Sequence, residues 1–144
     1  MTVTDELATV LFGLATDSQT TEDFTTQITM EITRWALDHG WFPRAEARVR
    51  LPRSSGQHPR LGYVDLVINR GPVGPDLAIE IDSTDKPWSL TKLRYAAAAG
   101  MHAIWVRWGD QAWAGVYDEV DVIQLPALRQ PASRRRSSQM TLWS

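Results

Sequence analysis

Three acidic residues lie within two short apolar segments of the sequence. Asp65 is the only charged residue in LGYVDLVI, and Glu80 and Asp82 belong to LAIEID. Because side chains alternate along a strand, Glu80 and Asp82 share one face with Ala78, while the aliphatic residues of LAIEID share the other. We expect the aliphatic face to lie in the core. The acidic face suits either solvent at the rim of a sheet or a divalent metal ion.

The metal interpretation follows from the cost of burying a carboxylate that is neither paired nor bound to a cation. If the two segments are antiparallel neighbours, a short turn brings Asp65 next to Glu80 and creates a cluster of the hard oxygen ligands that Mg²⁺ accepts. A cation would offset the repulsion between such close carboxylates. It would also lower the pKa of a bound water and stabilise the charge that develops in phosphodiester cleavage.

The pattern of apolar residues predicts the elements that carry these acids. Helical spacing predicts helices over residues 5–15 and 21–38. Alternating or β-rich runs predict strands over residues 44–51, 61–68, 77–82, 102–108 and within 111–125. Ser89 is expected to cap a third helix that ends at Gly100. A strand, helix and strand in succession imply a parallel pair, so the fold class is α/β, with a mixed sheet flanked by helices.

Length and composition predict one domain and a tail. The chain has 144 residues, of which 43% are hydrophobic, and residues 1–126 can form one packed domain. Residues 127–144 are rich in proline, serine and arginine and predict a disordered tail. The chain has no cysteine, which excludes thiolate metal sites and fits a reducing compartment. We find no signal-peptide pattern and no apolar run long enough for a membrane, so we predict a cytoplasmic protein.

The basic residues are unevenly distributed in a chain whose net charge is -2. Arg44, Arg48 and Arg50 alternate on one face of the first predicted strand. They suit contacts with DNA phosphates, and equally a charged strand edge that resists aggregation. Only two lysines occur in the chain, Lys86 and Lys92, and both follow the acidic strand.

The segment GYVDLVINRGPVGPDLAIEID, with the helix SLTKLRYAAAAG and the strand HAIWVRW after it, resembles the core of the PD-(D/E)XK nuclease superfamily. These are the restriction-endonuclease-like nucleases, and the resemblance covers about residues 21 to 110. It implies that Asp65 and Glu80 are metal ligands and that the carbonyl of Ile81 is a further ligand. The implied cofactor is Mg²⁺, with Mn²⁺ as a substitute.

Asp82 stands where the superfamily pattern has lysine. In some relatives the lysine has moved to the neighbouring helix, and Lys92 is placed for that move, with Lys86 as the less regular alternative. The resemblance then implies that Lys92 stabilises the developing charge and that Asp82 assists as a ligand or orients water. A missing lysine also occurs in inactive members. A non-catalytic module that binds DNA or the sliding clamp is therefore the alternative function.

The end of the chain resembles the bacterial sliding-clamp binding motif, a pentapeptide with glutamine first and an apolar pair last. In QMTLW, Gln139 would bind at the mouth of the clamp pocket, and Leu142 and Trp143 would fill it. Met140 replaces the commoner leucine. The alternative is a tail that folds back onto its own domain.

These observations together predict a Mg²⁺-dependent DNA endonuclease that acts in DNA repair, replication or restriction. Lys86 and Trp88, beside the turn after the acidic strand, are expected to contact DNA, with Trp88 stacking on a base. A ribonuclease or a plain interaction domain is a third interpretation.

Overall fold

A computed structural model describes residues 1–14, 21–51, 60–109 and 117–125 of the chain. These residues form a five-stranded sheet with helices packed on it. The elements follow in the order α1 (Val3–Phe12), α2 (Thr21–Asp38), β1 (Phe42–Leu51), β2 (Arg60–Asn69), a 3₁₀ turn (Gly71–Val73), β3 (Leu77–Asp82), α3 (Pro87–Ala98), β4 (His102–Arg107) and β5 (Val120–Gln124). None of the helices described is both long and apolar enough to cross a membrane.

The strands lie side by side in their order along the chain, from β1 to β5. β1, β2 and β3 are antiparallel, whereas β3, β4 and β5 are parallel. α3 makes the crossover between the parallel strands β3 and β4, as the sequence predicts. The mixed sheet flanked by helices is thus confirmed, and β3 is central, with β2 on one side and β4 on the other.

One face of the sheet packs against α1 and α2. The apolar stripe predicted for α2 is confirmed, because Phe24, Ile28 and Ile32 are all almost completely buried. They form one cluster with Leu77, Ile79 and Ile81 of β3 and with apolar residues of α1, β2, β4 and β5. We call this set the α2-side cluster.

The other face packs against α3 in a smaller cluster, which includes Val64, Ala78, Leu93 and Trp105. α3 begins at Pro87, and its N-cap is Lys86 rather than Ser89. The expectation that Ser89 caps this helix is therefore wrong. Proline is favoured in the first turn because the N–H that it lacks would have no partner within the helix at that position. Ser89 is instead buried within that turn and faces the sheet.

Candidate active site

Asp65 lies at a discontinuity in β2. The β1–β2 ladder pairs Ala45 with Leu66 and Ala47 with Val64, and Asp65 and the residue opposite it are not among the paired residues. Val64 packs beneath α3, whereas Leu66 packs in the α2-side cluster, so the alternation of faces is interrupted at Asp65. The residue opposite, Glu46, has a φ of 48°, an uncommon conformation for a non-glycine residue.

The β2–β3 ladder also ends beside Asp65, because its last pair in this direction is Leu66 with Ile79. Beyond that pair, hydrogen bonds from main-chain amides to side-chain carboxylates take the place of the main-chain ladder. The amide of Asp65 donates to Glu80 Oε2 over 2.9 Å, and the amide of Ile81 donates to Asp65 Oδ2 over 2.7 Å. These two bonds bring the carboxylates of Asp65 and Glu80 together, as the antiparallel hairpin predicts.

Two residues of α3 contact the same oxygen of Glu80. Ser89 Oγ donates to Glu80 Oε1 over 3.1 Å, and Lys92 Nζ lies 3.2 Å from that atom. Ser89 and Lys92 are three positions apart and therefore lie on one face of the helix. Lys92 Nζ also donates to the carbonyl of Tyr63 over 2.6 Å. Lys92 thus bridges β2 and β3 at the point where their ladder has ended.

Burial makes ionisation of these two acids unfavourable. It raises the pKa of Glu80 from 4.5 to about 7, and the charge of Asp65 raises this pKa as well, while Lys92 lowers it. Burial also raises the pKa of Asp65, although the hydrogen bond from the amide of Ile81 acts in the opposite direction. The pair therefore carries an unfavourable density of negative charge at neutral pH, which a cation would offset.

Asp82 lies on the same face of β3 as Glu80 but has different partners. Trp105 Nε1 of β4 donates to Asp82 Oδ2 over 2.8 Å, and Lys86 Nζ lies 3.5 Å from Asp82 Oδ1. Glu80 and Asp82 are 3% and 5% exposed. The interpretation of these two acids as a solvated sheet rim is therefore wrong.

The donor chemistry of this cluster fits a hard cation. Mg²⁺ commonly binds one or two carboxylates and retains several waters. Asp65 and Glu80 supply two carboxylates, and Ile81, next in the chain, has a carbonyl as a further oxygen donor. Within the part of the chain that the structure describes, no three His, Asp or Glu side chains are grouped to hold a metal ion. A metal here would therefore depend on two carboxylates and on water.

The residues predicted to contact DNA belong to two regions, the start of α3 and the strand β1. Lys86 and Trp88 are exposed beside the acidic end of β3, at 61% for the Lys86 side chain and 44% for Trp88. Arg44 is exposed on β1, where it lines a shallow pocket with Phe42 and Asn69. The side chains of Arg48 and Arg50 lie outside the described part of the structure. The predicted clamp-binding residues also fall outside the described residues: Gln139, Met140, Leu142 and Trp143.

Sequence reasoning missed three contacts of the site, made by Ser89, Trp105 and the carbonyl of Tyr63. The spacing of Ser89 from Lys92 is a signal that could have been used, because residues three apart share a helix face. Trp105 reaches Asp82 only because β3 and β4 pair in parallel with Glu80 opposite Trp105. No local pattern specifies that register.

Comparisons of this chain with protein-family models, with curated proteins and with solved structures find no match.

Proposed function

We propose that this protein is a metal-dependent nuclease that hydrolyses phosphodiester bonds in DNA, with a restriction-endonuclease-like fold. The observation that carries the proposal is the cluster of Asp65, Glu80 and Lys92. A buried acid, Glu80, and a partly buried one, Asp65, both with raised pKa values, meet where the β2–β3 ladder ends, and a lysine from the crossover helix contacts Glu80. Perturbed carboxylates with a specific charged partner are typical of functional sites.

In this proposal Asp65, Glu80 and the carbonyl of Ile81 hold Mg²⁺, or Mn²⁺ in its place. The bound ion would supply a water of lowered pKa and would stabilise negative charge on the phosphate. Hydrogen bonds from main-chain amides fix the positions of both carboxylates. Fixed ligands are an advantage, since small displacements of reacting groups reduce rates strongly.

The protein's own cation is Lys92, whose side chain is 12% exposed. An ammonium group held in a largely dry site interacts with developing phosphate charge more strongly than one in water. The carbonyl of Tyr63 and the carboxylate of Glu80 keep this ammonium group beside the acids. Ser89 orients Glu80 from the same helix face. In this proposal Lys92 takes the role of the motif lysine, at whose position this chain has Asp82.

The proposed DNA-binding surface comprises Lys86, Trp88 and the arginines of β1. Its support is the exposure of Lys86, Trp88 and Arg44 to solvent. Basic side chains of this kind contact phosphates without reading sequence, and an aromatic ring stacks on bases.

The test is cleavage of supercoiled plasmid, of branched or mismatched DNA and of an RNA of matched sequence, with Mg²⁺ or Mn²⁺. We expect the wild type to cut DNA only with metal. Asp65→Ala is expected to be slower by about three orders of magnitude, because several kcal/mol of charge stabilisation are lost with the metal. Asp85→Ala, which removes an exposed acid three residues beyond β3, is the matched control and should keep full activity.

A second candidate is a non-catalytic module that keeps the fold and binds DNA or the sliding clamp. The observation that favours it is that Lys92, Ser89 and the amide of Asp65 already satisfy the oxygens of Glu80. Both oxygens of this side chain therefore have hydrogen-bond or ion-pair partners without a metal. This candidate predicts DNA binding that needs no metal, and no cleavage of any substrate with either ion.

Recruitment by the bacterial sliding clamp remains part of the proposal and rests on the tail sequence QMTLW. The test is binding of the full chain to an immobilised clamp. Replacing Leu142 and Trp143 together by alanine should abolish the interaction, because these residues would fill the apolar pocket. An equal affinity of the variant and the wild type would show that the tail has another role.

A further inference from the structure

Asp82 is held from two sides at the end of β3. From the interior, the indole N–H of Trp105 donates to its Oδ2 over 2.8 Å, and Trp105 is fully buried. From the solvent side, Lys86 Nζ lies 3.5 Å from its Oδ1. A buried carboxylate needs such partners, and here one of them is rigid while the other is a flexible, exposed lysine.

Each of the chain's two lysines pairs with one of the two acids of β3. Lys92 pairs with Glu80 and is 12% exposed, whereas Lys86 pairs with Asp82 and is 61% exposed. Lys92 therefore lies within the cluster, and Lys86 lies beside it, on the solvent side of Asp82. Although burial raises the pKa of Asp65, the positive charges of both lysines lower it, so both act on the same carboxylate.

An exposed lysine without a fixed partner samples many rotamers, and ordering it on binding costs free energy. The ion pair with Asp82 restricts the Lys86 ammonium group to a region from which its charge acts on Asp65. A phosphate bound at the two acids would then have this positive charge nearby. Lysine binds phosphate as a point charge, so its location matters more than its orientation.

We propose that Asp82 is a positioning residue that holds the Lys86 ammonium group over the site, where Lys86 contacts a phosphate oxygen of the nucleic-acid substrate. In this role Asp82 is not a metal ligand. The inference rests on the proposed nuclease function and deepens it, because it names the residue pair that retains the substrate's phosphate.

The test uses Asp82→Asn, Lys86→Gln and the double variant. Asparagine keeps an oxygen for the indole N–H of Trp105 but removes the charge that attracts Lys86. Affinity for a labelled DNA duplex is measured by fluorescence anisotropy with Ca²⁺ in place of Mg²⁺, so that binding is separated from turnover. We expect each single variant to weaken binding about fivefold, as for loss of one exposed phosphate contact.

The double variant is expected to bind no more weakly than Lys86→Gln alone, because both changes remove the same contact. KM for DNA should rise in Asp82→Asn while kcat stays within about twofold, since the chemistry at Asp65 and Glu80 is intact. The matched control is Arg94→Gln, which removes an exposed cation of α3 that pairs with Glu119. It should leave DNA affinity unchanged.

Calorimetric titration with Mn²⁺ supplies the second readout. Affinity for Mn²⁺ should be the same in Asp82→Asn as in the wild type and lower in Asp65→Asn. A lower Mn²⁺ affinity in Asp82→Asn would make Asp82 a metal ligand and overturn the inference, as would additive losses of DNA affinity in the double variant. If the wild type binds Mn²⁺ and DNA but Asp82→Asn leaves DNA affinity unchanged, this inference alone fails. If the wild type binds neither, both the inference and the proposed function fail.

Discussion

The two faces of β3 are equally buried but chemically opposite. On one face, Leu77, Ile79 and Ile81 pack in the α2-side cluster of hydrophobic side chains. On the other, Glu80 and Asp82 are as inaccessible as those aliphatic residues and carry two carboxylates. Burial of a strand face therefore does not by itself show that the face is apolar and serves only to pack the core. The apolar face stabilises the fold, whereas the acidic face retains groups that burial disfavours.

The difference can be expressed as a free energy. A raised pKa measures how much the folded state disfavours the charged form, at about 1.4 kcal/mol per pH unit. For Glu80, with a pKa of about 7 against an ordinary 4.5, the cost of ionisation is about 3 kcal/mol. A fully buried aliphatic side chain contributes about the same amount with the opposite sign. One strand thus holds a stabilising face and a costly one.

The largest expected effect is on the apolar face. Ile79→Ala should lower the free energy of unfolding by about 4 kcal/mol, because it leaves a cavity at a fully buried position. Urea denaturation followed by circular dichroism measures this change. Leu37→Ala, at a position that is 58% exposed on α2, should change it by less than about 0.5 kcal/mol. Similar losses in the two variants would contradict the packing described for β3.

On the acidic face we expect stability to depend on pH. The unfolded chain loses the proton of Glu80 around pH 4.5, whereas the folded chain keeps it until about pH 7. Stability should therefore fall as pH rises between these two values. The raised pKa of Asp65 acts in the same direction. Glu80→Gln cannot ionise and should remove about 3 kcal/mol of this fall.

The measurement for this prediction is urea denaturation of both proteins at intervals across the range, and the difference between them isolates Glu80. The variant should gain stability relative to the wild type as pH rises. Parallel curves for the two proteins would show that Glu80 is ionised without cost.

A divalent metal should stabilise the acidic face and leave the apolar face unaffected. At a free Mn²⁺ concentration about ten times its dissociation constant, stabilisation of the wild type should be about 1.4 kcal/mol, because the ion binds only the folded state. Thermal unfolding with and without Mn²⁺ measures it. Asp65→Asn should lose the response, and Ile79→Ala should keep it from a lower starting stability. A response retained by Asp65→Asn would place the ion elsewhere.

The smallest expected effect concerns the α3 side of the acidic face. Ser89→Ala removes the hydroxyl that donates to Glu80 Oε1 and should cost about 1 kcal/mol, since Lys92 still contacts that oxygen. The matched control is Thr91→Ala, whose hydroxyl donates only locally, to the carbonyl of Pro87. Chemical denaturation of both variants should show a loss for Ser89→Ala alone. Equal values would mean that the Ser89 bond adds nothing to the fold.

Local patterns predicted most of the fold. The helical spacing of Phe24, Ile28 and Ile32 predicted α2 and its buried face, and alternation in LAIEID predicted which residues of β3 share a face. The proximity of Asp65 and Glu80 was also predictable, because a short turn between antiparallel strands brings them together. These features depend on residues close in sequence, where periodicity and chain geometry act directly.

The contacts of Ser89 and Asp82 were not predictable in the same way. Ser89 has the residue type of a helix cap, but α3 begins two residues earlier and directs the hydroxyl at Glu80. For Asp82, alternation predicts the face but not the environment, since an acid on the second face of a strand suits both solvent and a buried, paired position. The packing of α3 over the acidic face decides that question.

The sequence by itself therefore determined which residues form the elements of this protein and that three acids would lie on adjacent strands. Only the tertiary structure decided that Glu80 and Asp82 are buried, that Lys92 pairs with one and Lys86 with the other, and that Trp105 anchors Asp82. The physical reason is the separation along the chain over which each interaction acts. Periodicity and turns act over a few residues, whereas burial and charge pairing here depend on the parallel register of β3 with β4 and on the docking of α3.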